Sequence, residues 1–494
     1  MPACELLIRN ANIIDGGNAL RFTGDVAVSG GRVVEIGPSL PYNAITDFDA
    51  AGLILAPGFI DVHTHDDTSV ICAPAMMPKL SQGVTTVIVG NCGISAAPVR
   101  LQGEPPDPMN LLGDASVFRY RSFQDYVEAI RAAAPSVNVA ALVGHTALRS
   151  NHMDRLDRAA SVGEIAAMRA QLEEALAAGA LGLSTGLAYL SAISASMEEV
   201  ISLAEPLAAA GALYATHMRS ETEAILDAMA EAFTIGRASD VPVVVSHLKC
   251  AGVANWGRSG EVLAALDDAR SAQQVGCDCY PYSAGSSTLD LRQVDPRVTI
   301  TITWSTPRPE LAGRSLQEIA ETWGVDQMEA ARRLQPAGAI YHSIAESDMR
   351  RILAHPATMI GSDGLPNDPR PHPRLWGTFP RVLGHYCREE KLFSMEEAVH
   401  KMTGMPARRF RLDDRGLIRE GHAADLVLFN PDTIRDRATY AEPMLPSEGI
   451  AAVWVNGVLS YGATGATGQR AGQFLPRGGP NGLPPIASLF LKSS

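Results

Sequence analysis

The sequence predicts a (β/α)8 TIM barrel flanked by a small β-sandwich assembled from both ends of the chain. Three observations carry that prediction. Eight short apolar segments recur between residues 57 and 411, each closing on a polar or Gly-rich stretch. Between them lie Ala/Leu/Glu-rich segments with apolar residues at helical spacing, and strand alternating with helix implies a parallel sheet. The 494-residue length holds one barrel with an insertion and a small second domain.

In chain order, residues 1–56 carry ELLIRNANIIDGG and GDVAVSGGRVVEIG, β-branched runs punctuated by Gly and Asp, the pattern of strands and turns. Residues 412–480 repeat the pattern in AADLVLFNP and AAVWVNGVLSYG, so the two ends are expected to share one small β domain. The catalytic barrel spans 57–411, with strands expected at PGFIDVHTH, TTVIVGNCG, VNVAALVGH, ALGLSTG, ALYATH, VPVVVSH, VGCDCYPY and TMIGSDG. VGEIAAMRAQLEEALAAGA reads as one of the intervening helices, with its Gly stop. After CDCYPYSAGSS an insertion of about 288–349 precedes the eighth strand, and its length suits a lid. From about Gly462 the chain turns Gly/Pro-rich and is expected to lie extended over the surface, with 481–494 as a C-terminal tail. A doubly wound open sheet is the rival architecture.

Composition excludes several function classes. With 46% hydrophobic and 19% charged residues the chain is a folded protein rather than a solvating polymer. A net charge of −13 and no Lys/Arg-rich stretch exclude a nucleic-acid partner, and any anionic substrate must meet a few local cations. No secretory h-region and no run of about 18 apolar residues occur, so a cytoplasmic protein with no membrane partner is expected. The seven cysteines are scattered without framework spacing and are expected to be reduced.

Barrel active sites sit at the C-terminal ends of the strands. Here those ends carry His63, His65, Cys92, His145, Ser184, His217, His247, Tyr280 and Asp363. In HTH the two imidazoles alternate and so face one side. Taken singly, a strand-end histidine is commonly a hydrogen-bonded structural residue, and a free cysteine an inert buried hydrophobe. Taken together, His63, His65, His217, His247, Cys92 and Asp363 at corresponding strand ends form a donor set that favours zinc. Asp363, in IGSDG, reads either as a ligand or as the general base that takes a proton from water, and both roles are compatible. Cys72, Cys250, Cys277 and Cys279 read as core residues, although CDC could bind metal. The remaining histidines read as surface or structural groups.

PGFIDVHTHDD, GNCGIS, ATHMR, SHLKC, CDCYPY, GSDGLP and PHPRLWGTFPRVLGHY resemble the N-acyl-D-amino-acid deacylases of the amidohydrolase superfamily. The likeness covers nearly the whole chain, and GNCGIS and HPRLWGTFPRVLG are its more specific parts. It implies hydrolysis of a small-molecule N-acyl-D-amino acid to a carboxylate and a free D-amino acid. It also implies one tightly bound zinc on Cys92, His217 and His247, with His63, His65 and Asp363 forming an adjoining, weaker or vacant position. Asp363 would be the base that later protonates the leaving amine, with Tyr189 or His65 near the oxyanion. The substrate α-carboxylate would meet Lys249, Tyr280 and either Arg292 in LDLRQV or Arg374 in HPRLWG. GLAYLSA, SHLKCAGVANWGRS and GSSTL lean toward the N-acyl-D-glutamate enzymes over those preferring hydrophobic D-residues. The rival readings are a cyclic-amide hydrolase of hydantoinase or dihydroorotase kind and a non-catalytic scaffold with the same fold.

Overall fold

The computed structural model describes residues 1–101 and 103–478. The expected tail at 481–494 lies outside the described residues. Eight parallel strands form the barrel: β1 (Phe59–Asp61), β2 (Val84–Val89), β3 (Asn138–Ala141, continued as Val143–Gly144), β4 (Gly182–Gly186), β5 (Leu213–His217), β6 (Val243–Val245), β7 (Val275–Cys279) and β8 (Thr358–Ile360). β1 to β3 pair in order, and the second half of β3 leads through β4, β5, β6 and β7 to β8. A parallel bridge between Thr64 and Gly364 closes the ring. The β-branched run VTTVIV of β2 is buried at every position, as expected of a strand covered on both faces.

The helices are placed by their caps as well as by their apolar faces. Ser161 and Glu164 form a capping box on the helix Val162–Ala177, and its Met168, Leu172 and Leu176 enter the main core. Inside the barrel, Ile60, Ile88, Ala140, Leu142, Val244 and Met359 form a separate apolar cluster.

Strands from both ends of the chain pair with one another. Nine strands hydrogen-bond into a single sheet, in which Leu426–Phe429 runs antiparallel to Ile54–Pro57 and so joins the C-terminal strands to the N-terminal ones. Asp425 fastens this sheet to the barrel by accepting from Asn138 Nδ2 at 2.9 Å and from Arg415.

Two boundaries differ from the sequence reading. The insertion is a compact unit in which Gly285–Thr288 and Ile300–Ser305 flank Ala337–Tyr341, with its own core of Ile302, Leu316, Ile319 and Leu334. Residues 346–349 fall outside it: they open the helix Glu346–Ala354, whose Met349, Ile352 and Leu353 pack into the barrel core. The stretch after Gly462 does not simply lie over the surface. Leu475 N donates to Val139 O at 2.8 Å, and Leu475 joins the cluster inside the barrel, because two apolar side chains in GQFLP outweigh the turn-forming residues around them.

Candidate metal centre and active site

The strand ends converge on one place at the mouth of the barrel. His63 Nε2 lies 3.2 Å from Cys92 Sγ, and Cys92 Sγ lies 3.3 Å from His247 Nε2, so the sulfur stands between two imidazoles. Asp363 Oδ1 lies 3.5 Å from His63 Nε2 and 3.2 Å from His65 Nε2. The ring of His217 stands edge-on to that of His247, with centroids 4.5 Å apart. One donor atom from each of His63, Cys92, His247 and Asp363 falls within a 4.8 Å circle of the others, and His217, Glu221 and His247 form a second such group.

Three of these residues adopt left-handed backbone conformations that side chains other than glycine rarely take: Cys92 at φ 54°, His247 at φ 35° and Asp363 at φ 49°. Such strain persists only where the surroundings over-determine it, and it concentrates at functional sites. For Cys92 the surroundings are visible. Ser184 Oγ donates to Gly90 O at 2.5 Å and accepts from Gly93 N at 3.0 Å, tying GNCG to β4. A Cβ on Gly186 would stand 2.1 Å from Cys92 O, so this close approach requires glycine.

Whether the residues fit a metal follows from donor spacing and from the partners behind them. Donors 2.0 to 2.3 Å from one tetrahedral ion stand about 3.3 to 3.6 Å apart, close to the separations seen here. His63 turns Nδ1 to Asp278 at 3.2 Å, and His247 turns Nδ1 to Glu221 at 2.9 Å. A carboxylate behind each ring leaves Nε2 facing the centre, as in metal-bound histidines. His65 Nδ1 and His217 Nδ1 are buried without a hydrogen-bond partner among the described residues. Burial alone would push the Cys92 thiol up, but His63, His247 and His217 bring it well below its ordinary value, so it stands ready as a thiolate. The residues fit a divalent ion such as zinc.

The opposite wall is cationic. Burial opposes the charge on Asp363, yet Arg374, with Nη1 at 2.7 Å from Oδ2, and the nearby imidazoles hold that carboxyl well below its usual range. Arg374 stacks over the Tyr280 ring at 4.6 Å and donates to Ser286 O at 3.0 Å. The Tyr280 hydroxyl is buried with no hydrogen-bond partner among the described residues, and burial pushes it well above its ordinary value, leaving a neutral donor. Lys249 Nζ lies 2.5 Å from Glu221 Oε1 and 5.9 Å from the Tyr280 ring centre. Tyr189 packs its ring against His217. Asp363, Tyr280, Lys249 and Tyr189 line a cavity of about 240 Å³ that Gly285, Ser286 and Ser287 of the insertion help to wall, and Arg374 lies behind Asp363 and Tyr280.

Other expected residues stand apart from this centre. Arg292 reaches the cavity wall through a bond to Ala188 O, but its guanidinium is already gripped by Asp290, with Nη2 2.6 Å from Oδ2. It is therefore not placed beside Asp363, and Arg374 is. His145 is buried against Glu199 at 2.9 Å and belongs to neither donor group. Cys277 meets Thr358 Oγ1 and Cys279 meets Tyr280 O, and burial pushes the Cys277 thiol up to about 12, so CDC contributes Asp278 rather than sulfur. The sequence reading missed Glu221 and Asp278, the two carboxylates behind the histidines. Strand alternation was the available signal for Asp278, which faces opposite to its flanking cysteines.

The sequence matches the Amidohydrolase family over residues 48–461. Three relatives come from Alcaligenes xylosoxydans xylosoxydans. A D-aminoacylase is 50% identical over 96% of this chain and 98% of its own. An N-acyl-D-aspartate deacylase is 48% identical, with 96% and 95% covered. An N-acyl-D-glutamate deacylase is 47% identical, with 92% and 93% covered. Among solved structures, a D-aminoacylase superposes with a TM-score of 0.94 at 49% identity, covering 96% of this chain and 100% of that one. The N-acyl-D-glutamate deacylase of Bordetella bronchiseptica, complexed with zinc and a phosphonate mimic of the reaction's tetrahedral intermediate, superposes with a TM-score of 0.93 at 45% identity and the same coverage.

Proposed function

The chain belongs to the amidohydrolase family, and from that premise we propose that it hydrolyses the amide of an N-acyl-D-amino acid, releasing a carboxylate and a free D-amino acid. The observation that carries this reading is Cys92 set between His63 and His247, together with 47 to 50% identity over nearly the whole chain to a D-aminoacylase and two N-acyl-D-amino-acid deacylases. One zinc would be held by Cys92, His217 and His247, with His63, His65 and Asp363 offering an adjoining second position. A metal bound there supplies Lewis-acid polarisation of the amide carbonyl and a lowered pKa for attacking water.

The protein's own residues do the rest. Asp363 is ionised at neutral pH because of Arg374 and the imidazoles, so it can accept the proton of the attacking water and return it to the leaving nitrogen. Arg374 and the neutral Tyr280 hydroxyl, with Lys249 behind, present donors to the substrate α-carboxylate, and charge-assisted bonds of this kind are the strong ones. Tyr189 and His65 flank the carbonyl side of the cavity.

The D-side chain would lie toward Arg292 and Arg219, both on the cavity wall, which supports glutamate. A neutral side chain is the second reading. It is favoured by the Arg292–Asp290 pair, which offsets that charge, and by Leu111 and Leu365 nearby. Comparing kcat/KM on N-acetyl-D-glutamate, N-acetyl-D-leucine, N-acetyl-L-glutamate and hydantoin with zinc-loaded protein decides the matter. D-substrates alone should turn over. A D-glutamate preference supports the arginine wall, a D-leucine preference the neutral one, and cleavage of hydantoin alone overturns the deacylase.

A further inference from the structure

A second cavity lies at the other end of the barrel. It encloses about 730 Å³, and its wall includes Leu213 and Val275, the first residues of β5 and β7. Leu213 stands four residues before His217, about 13 Å along the strand from the metal centre.

Five arginines line this space: Arg270, Arg408, Arg409, Arg411 and Arg477, against the single acid Asp240. In a chain of net charge −13 such a concentration of cations is not what the overall composition supplies. Arg270 is paired with Asp267 at 2.8 Å. Among the described residues the other four have no carboxylate partner; neutral acceptors hold them instead. Arg409 donates to Val275 O at 3.2 Å, Arg411 to Gly211 O at 3.0 Å, and Arg408 to His400 Nε2 at 3.3 Å. Arg477 donates to Ala180 O, Leu176 O and Ala210 O. A guanidinium has five N–H groups, so Arg408, Arg409 and Arg411 keep most of theirs uncommitted among the described residues.

The crowding has an electrostatic cost. Burial, with repulsion from Arg270 and Arg408, lowers the affinity of Arg409 for its proton, and burial with Arg411 does the same for Arg477.

We propose that this cavity binds a small anion carrying at least two negative charges on phosphate or carboxylate oxygens. Planar guanidinium forks match both oxyanions and hold them in pairs of hydrogen bonds. The apolar floor of Leu181, Met359 and Phe410 gives room for a short carbon skeleton between the charged groups. The site is separate from the catalytic cavity, so its ligand would stabilise the fold by binding the native state rather than compete with substrate.

Calorimetric titration and thermal melts of the full-length, metal-loaded protein with inorganic phosphate and with tricarballylate, each against sodium chloride at matched ionic strength, test this. Saturable binding of either anion, with a rise in Tm beyond that given by chloride, is expected, and the stronger of the two identifies phosphate or carboxylate chemistry. Arg408→Gln with Arg411→Gln, both exposed side chains, should weaken binding by about tenfold or more while kcat/KM on the D-substrate is unchanged. Arg409→Gln provides the same reading if the double variant fails to fold. The proposal is overturned if neither anion exceeds chloride, or if the arginine variants bind as the wild type does.

Discussion

Arg374 Nη1 stands 2.7 Å from Asp363 Oδ2, and both side chains are buried at the mouth of the barrel. The pair would join the two halves of the proposed chemistry, with Asp363 as the proton acceptor and Arg374 as a cation for the substrate carboxylate. Asp363→Asn preserves the shape and removes the basic oxygen. The variant should keep its bound zinc and lose about 10² to 10⁴-fold in kcat, with little change in KM. Metal content and steady-state rates measured together check this, and full activity would remove Asp363 from the role of base.

Cys92 is the donor with neighbours on both sides, His63 and His247. Cys92→Ala removes that sulfur and should cost metal as well as rate. Tight zinc per chain, measured after dialysis against a weak chelator, should fall well below the wild-type value. Unchanged stoichiometry would show that the histidines suffice and that Cys92 is only a buried thiol.

The barrel was legible because its strands are short, largely apolar and bounded by polar strand ends. PGFIDVHTH announces both a buried strand and its functional end. What the sequence did not show depends on contacts between distant segments. Glu221 sits four residues after His217 in a loop with no distinctive spacing, and only the fold brings it to His247 Nδ1. Arg292 carries the right charge in the right segment, yet its own neighbour Asp290 neutralises it, a pairing that depends on rotamers. Leu475 was masked by surrounding Gly and Pro, although its burial follows once the barrel floor exists.

Glu199 makes an acid-sensitive contact away from the metal centre. Burial would raise its pKa, but the hydrogen bond from His145 and the charges of His145 and Arg149 lower it to about 2. A carboxylate whose folded pKa lies below its unfolded value stabilises the native state above the unfolded pKa, and that stability is lost as pH falls toward the folded one. The window here runs from the ordinary glutamate range down to about 2 and is worth on the order of 3 kcal/mol. Urea midpoints of wild type and Glu199→Gln should differ clearly near neutral pH and converge as pH falls through that window. A gap independent of pH would mean that the substitution acts through packing alone.

Lys79 is completely buried behind the strand ends that carry the candidate ligands. Its Nζ donates to Asp61 Oδ2 at 2.8 Å, Thr64 Oγ1 at 2.9 Å and Ser362 Oγ at 3.0 Å, and pairs with Asp66 at 3.0 Å. Thr64 lies between His63 and His65, and Ser362 precedes Asp363, so one ammonium ties β1 to the end of β8 where the donors emerge. Asp61 completes the tie by accepting from Ser362 N at 2.8 Å. Lys79→Met leaves two buried carboxylates without their cation, which costs roughly 3 to 5 kcal/mol. The denaturant midpoint should fall accordingly. If the network also sets donor positions, the surviving folded protein should bind zinc more weakly at His63, His65 and Asp363 than at Cys92, His217 and His247. Metal titration of the variant separates the two effects: a lowered midpoint with two unchanged metal affinities would leave Lys79 a purely structural residue.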